Sequence, residues 1–281
     1  MKNKKIVSLA ALFVASLASA QAQTTITSWN FDSDYVAPSG SALDYNSSPA
    51  PTIGSGTASA LGMNNSYNGT NSISNPDILS SAGSSSGTYA WRIRGSSTTV
   101  GSEGNGWSSS AAIGSQGAEF TTSTVGFDNI QISFDVDTTA QAERNLQLEY
   151  TLNGSVWFNA TLTSAGSLGT LETNASSGNA FGSTVVGSYV ELGSGWNNEI
   201  TANLSGIAGV ANDANFGIEI VNASTGTNDV NVSGNALNNT SGNWRVDNIN
   251  ITEAVPEPSA LALAGLGLMG LVIFRKRSLK V

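Results

Sequence analysis

Apolar and polar residues alternate one for one along the clearest segments of this chain. Ile130, Ile132, Phe134 and Val136 alternate with Gln131, Ser133, Asp135 and Asp137. Leu146, Leu148, Tyr150 and Leu152 alternate with Asn145, Gln147, Glu149 and Thr151, and Val156, Phe158, Ala160 and Leu162 continue the pattern beyond Asn153-Gly154. A period of two places successive side chains on opposite faces of a strand. Asn-Gly favours the positive φ angles of a tight turn, so residues 144–163 are predicted to form a β-hairpin. A two-residue turn there pairs Trp157 with Tyr150 on the core face, and sends Val156 and Phe158 to the other. Further strands are predicted at 26–31, 89–94, 117–122, 185–192, 216–221 and 244–251. No segment between the two ends carries a helical period. Residues 39–87 and 222–243, rich in Gly, Ser and Asn, read as long loops.

Many strands with one apolar face need two sheets to bury those faces against each other. The expectation is an all-β chain whose residues 21–254 form a single β-sandwich of jelly-roll type. A β-solenoid would need a regular internal period, and none is present. One echo does occur. Phe127-Asp128-Asn129-Ile130-Gln131-Ile132 parallels Val246-Asp247-Asn248-Ile249-Asn250-Ile251. In both, the alternation slips by one residue across Asp-Asn, as a β-bulge requires.

The two ends follow different rules. Lys2, Lys4 and Lys5 precede a short apolar run, and the small-x-small sequence Ala18-Ser19-Ala20 follows it. This is the layout of a cleavable secretory signal over residues 1–20, with signal peptidase as the implied partner. Residues 255–281 have three parts: Val255-Pro256-Glu257-Pro258-Ser259, an apolar run over 260–274, and a basic end led by Arg275, Lys276 and Arg277. The apolar run reaches about 22 Å as a helix, short of a hydrocarbon core about 30 Å thick. Its positive end favours the cytoplasmic side. A weak span beside a defined motif suits a transient membrane hold.

These three parts, in this order, resemble the PEP-CTERM sorting signal of Gram-negative bacteria. The motif is Val255, Pro256, Glu257 and Pro258, and the membrane stop is Arg275, Lys276 and Arg277. The resemblance implies an exosortase, a membrane-embedded cysteine transpeptidase, as processing partner. It also implies a link to exopolysaccharide and biofilm, and a final place at the cell surface or outside the cell. Trp244-Arg245-Val246-Asp247-Asn248-Ile249 is similar to the closing strand of exported jelly-roll domains, carbohydrate-binding modules among them.

Composition narrows the chemistry. The chain has no His and no Cys, so His- or Cys-based triads and thiolate or imidazole metal sites are excluded. Between the two ends four arginines face nineteen acids, a formal charge of −15 without a single Lys. Such a surface repels nucleic acid. The chain is therefore expected to be non-catalytic and to need no cofactor. The enzymatic alternative, a glycan hydrolase, rests on paired acids such as Asp135 and Asp137 or on Glu149. Asp32, Asp34 and Asp247, after the first strand and in the last, are candidate hard-oxygen ligands for a structural Ca²⁺. Trp107 and Trp196 lie among Gly, Ser and Asn and are the candidates for exposed, glycan-stacking aromatics.

Overall fold

The computed structural model describes residues 22–32, 43–44, 48–62, 77–79, 83–85, 88–93, 107–173, 188–226, 229–237 and 242–255. All regular elements among them are strands, and every ladder between these strands for which a register is defined is antiparallel. In chain order they are β1 (Ala22–Trp29), β2 (Leu43–Asp44), β3 (Gly56–Leu61), β4 (Asp77–Leu79), β5 (Ala90–Ile93), β6 (Gly117–Thr122), β7 (Ile130–Thr138) and β8 (Asn145–Thr151). Then follow β9 (Trp157–Asn159), β10 (Leu162–Ala165), β11 (Thr170–Thr173), β12 (Ser188–Glu191), β13 (Gly195–Asn203), β14 (Gly217–Asn222) and β15 (Trp244–Val255). One sheet runs β10-β13-β7-β15-β5-β4-β2, with β1 also on β15. The other runs β11-β12-β8-β14-β6-β3, with β9 also on β8. From β5 to β8 and again from β12 to β15 the chain changes sheet repeatedly, which is how two sheets come to share one core.

That core is apolar and aromatic. Phe134, Val136, Ile132, Trp244, Val246, Ile249 and Ile251 from the first sheet meet Phe120, Leu146, Leu148, Ile218 and Ile220 from the second, all buried. Phe120 is central. Its ring meets Trp29 at 5.1 Å and Trp91 at 6.0 Å, both edge-on, the geometry favoured by the ring quadrupole. Residues Thr25–Glu253 form one compact unit. Met1–Thr24 and Ala254–Val281 group as another, of which only the outer ends of β1 and β15 are described.

The predicted slip across Asp-Asn is present in β15. Asp247 pairs with Asp135 and Asn250 with Ser133, so Asn248 and Ile249 together face Phe134. Asn248 and its counterpart Asn129 both adopt φ 49°, a left-handed conformation that Asn tolerates better than most residues. β13 carries a second bulge between Asn197 and Ile200, with Glu199 at φ 64°.

The predicted hairpin forms, but one residue out of register. Thr151 pairs with Trp157 and Tyr150 with Phe158, so the connection is five residues long and not two. The cause is the Asn153 side chain, whose Oδ1 accepts the N–H groups of Ser155 (3.0 Å) and Val156 (2.9 Å). An Asx-type turn replaces the tight one. One residue of slip exchanges the faces of every side chain on the returning strand. Phe158 therefore stacks on Tyr150 at 5.6 Å while remaining 46% exposed. Trp157 moves to the outer face, where its ring lies 3.3 Å from the position a Cβ on Gly217 would take. The returning arm also ends early. After Asn159 the chain leaves this sheet, and Leu162 opens β10 in the other.

Replacing Phe120 by Ala is expected to cost about 3–5 kcal/mol and to lower the melting temperature by roughly 10 °C. Thermal unfolding followed by tryptophan fluorescence measures it.

Candidate functional site

The sorting motif starts where the described residues end. β15 lies inside its sheet, laddered to β7 on one side and to β5 on the other, and its last residue is Val255. Pro256 follows directly in the sequence and can donate no backbone hydrogen bond to continue a ladder. Pro256 to Val281, including Glu257, Pro258 and the Arg275-Lys276-Arg277 stop, lie outside the described residues, as does the signal region 1–20. Among the described residues no helix is long and apolar enough to cross a membrane.

Of the three candidate calcium ligands, Asp34 lies outside the described residues. Asp32 is exposed and accepts the Tyr89 N–H at 2.9 Å. Asp247 is buried, with Oδ2 taking the Ser84 N–H at 2.8 Å and Oδ1 the Asn248 N–H at 2.7 Å. Among the described residues no three acids converge closely enough to hold one metal ion. Burial, against three hydrogen bonds and with Asp135 across the ladder, raises the Asp247 carboxyl to about 6.

Asp135 lies between the two bulges. Its Oδ1 accepts the Glu199 N–H at 2.7 Å and its Oδ2 the Asn248 Nδ2 at 2.8 Å. The bulges thus turn donors from both neighbouring strands onto one carboxylate. Asp137 takes Arg245 Nη1 at 2.8 Å. Burial still raises its pKa, opposed by that arginine and by the Thr138 backbone. Both acids of this strand are therefore tied to fixed donors.

The tryptophans separate. Trp107, expected on the surface, is 1% exposed. Its ring lies 4.3 Å from that of Trp244, so the polar residues around it disguise a core anchor. Trp196 is half-buried in β13 and pairs with Asp137, which pairs in turn with Arg245. Directly paired residues share a face, so Trp196, Asp137 and Arg245 form one row on the outside of their sheet.

Sequence reasoning missed a second row, on the outer face of the other sheet. Glu219 pairs with Glu119 on one side and with Glu149 on the other. Each of these residues alternates with apolar neighbours in its own strand, which was legible. Their meeting depends on register across three strands, which was not. Glu219 is 5% exposed, and its pKa is pushed to about 8 by burial, then by the charges of Glu149 and Glu119. Burial raises Glu119 and Glu149 as well, and Gln147 donates a hydrogen bond that opposes the shift at Glu149.

A carboxyl with a higher pKa folded than unfolded binds its proton more tightly in the native state. Its stabilising contribution is complete below about 4.5 and is lost as the pH rises through about 8. The melting temperature should therefore fall between pH 5 and pH 9. Glu219→Gln should remove the part of that slope above about pH 7 and raise the melting temperature at pH 8 by roughly 5 °C. Calorimetry across the pH range measures both.

No curated protein matches the chain. The family model for the PEP-CTERM protein-sorting motif matches residues 254–277, from the penultimate residue of β15 to Arg277. The chain carries a PEP-CTERM sorting signal at its C-terminus, which implies a secreted, transiently membrane-anchored protein processed by an exosortase-type membrane enzyme.

Proposed function

We propose that this is an exported, non-catalytic protein of the cell surface or extracellular matrix, delivered by its tail and associated with exopolysaccharide. The match over residues 254–277 carries the reading. Residues 1–20 act as the cleaved export signal, and 260–274 as a short membrane helix held by Arg275, Lys276 and Arg277. The two prolines fix φ and bias the backbone around Glu257 towards an extended form, the form a processing enzyme binds. The strand order β5-β15-β7-β13 against β6-β14-β8-β12 supports the jelly-roll reading, a fold that does not by itself specify an activity. The fixed donors on Asp135 and Asp137 favour structural over catalytic roles for them.

Replacing Pro256 and Pro258 together by Ala should leave the chain uncut in a host that contains an exosortase. Mass spectrometry of the cell-bound and released protein reads the mature ends. Release of the double variant at the normal rate, with the same C-terminus, would refute the sorting role of the motif.

The row Trp196, Asp137 and Arg245 favours a second reading, a glycan-binding module on the same scaffold. An aromatic face beside an ion-paired carboxylate offers a sugar one stacking surface and two kinds of hydrogen-bond partner. Trp107 is excluded from this role by its burial. Trp196→Ala should abolish retardation of the protein in gels containing the host's own exopolysaccharide, at least tenfold in apparent affinity, with the melting temperature kept. Equal mobility of the wild type with and without polysaccharide defeats this reading and leaves the first intact.

A further inference from the structure

The Gly/Ser/Asn-rich stretch after β14 folds against the turn between β7 and β8. Isolated bridges join Glu143 to Asn231 and Val230 to Ala236. This brings together two acids, Glu143 and Asp229, each 1% exposed. Ser224 lies between them, with its Oγ 2.9 Å from Glu143 Oε1 and 2.5 Å from Asp229 Oδ1. The same hydroxyl accepts Asn145 Nδ2 at 3.1 Å, and the Asn145 backbone N–H donates to Glu143 Oε1 at 2.8 Å.

With both acids ionised, the proton count does not close. One hydroxyl hydrogen cannot serve two carboxylates. Asp229 Oδ2 is buried and has no hydrogen-bond partner. Neither acid takes part in an ion pair among the described residues, where Arg144 goes to Glu191 and Arg245 to Asp137. A buried pair of like charges with a bare oxygen is costly unless a cation or a shared proton compensates it.

The ligand chemistry selects the cation. All the side-chain donors are hard oxygens: two carboxylates and a hydroxyl. Ca²⁺ takes six to eight such ligands in flexible geometry, neutral oxygens included, whereas Mg²⁺ demands a near-octahedral shell and dehydrates reluctantly. Zinc favours nitrogen and sulfur, and the chain offers neither His nor Cys. We propose that Glu143 and Asp229, bridged by Ser224, hold a structural Ca²⁺ ion that fastens the 229–237 segment to the β7–β8 turn. This place is distinct from Asp32, Asp34 and Asp247. Since no third acid converges on it among the described residues, neutral oxygens complete the shell.

The site supplies its own reporter. Trp244 Nε1 donates to the Glu143 carbonyl at 2.8 Å, so an excited indole lies beside the ion. The test uses the full chain, solubilised in mild detergent and stripped with EDTA. Tb³⁺ should then show tryptophan-sensitised emission that Ca²⁺ displaces, with one site per chain. Ca²⁺ should raise the melting temperature by roughly 5–10 °C. Asp229→Asn and the milder Ser224→Ala should weaken both effects at least tenfold in Ca²⁺ concentration, while Asp32→Asn should not. A wild-type chain with no sensitised emission and no response to Ca²⁺ overturns the proposal without any variant. So does a melting temperature of the Glu219→Gln variant that falls with rising pH, ignores Ca²⁺ and loses that fall on Asp229→Asn, the signature of a shared proton. Sensitised emission that survives Asp229→Asn unchanged also overturns it, by placing the ion elsewhere.

Discussion

Nineteen acids and four arginines share the body of this protein, and that imbalance constrains its polar architecture. A buried carboxylate is tolerated when a cation, a set of hydrogen bonds or a proton compensates it. With no Lys and no His, cations can compensate very few. Arg245 and Arg144 serve Asp137 and Glu191. Other buried acids use what the composition supplies in excess, namely backbone N–H groups, amides and hydroxyls. Asp135 and Asp247 are held by Glu199, Asn248 and Ser84. The Glu119, Glu219 and Glu149 row has fewer such donors, and protonation takes over at Glu219.

The same constraint explains the bulges. A regular ladder points its N–H groups along the sheet, towards the next strand, where a side chain standing on the face cannot reach them. An extra residue breaks that pattern and frees a donor. The bulge in β13 aims the Glu199 N–H at Asp135, and the bulge in β15 aims Asn248 at the same carboxylate and at Ser84. The left-handed residues at 199 and 248 are the local cost of satisfying an acid on a face that has no lysine to offer.

Much of this fold was legible where local pattern decided the outcome. β6 matches its predicted limits, and β7, β14 and β15 lie within a few residues of theirs. The Asp-Asn slip was visible because it breaks a period of two. Elements without that period escaped. β13 reads Gly-Trp-Asn-Asn-Glu-Ile-Thr-Ala-Asn, and its bulge hides the alternation that would have marked it. β3 lies in a Gly/Ser-rich stretch where only Ala58 is fully buried. The hairpin register failed because a side chain, Asn153, outweighed a backbone preference. Trp107 failed because burial is a property of distant partners, here Trp244, and its neighbours in sequence are polar. The sorting tail was legible from order and spacing alone, since its parts need no tertiary structure to be recognised. The acid row and the Glu143–Asp229 pair required knowledge of which strands adjoin.

β15 is the final strand to be made, and it occupies the middle of its sheet. On the proposed export route, with residues 1–20 leading, β5 and β7 stay without their shared neighbour until β15 has emerged. On that route the sandwich is completed only as the sorting signal directly behind β15 follows it. A prematurely terminated product lacks both the middle of a sheet and the address label, so it offers protein quality control an open edge and never a finished surface.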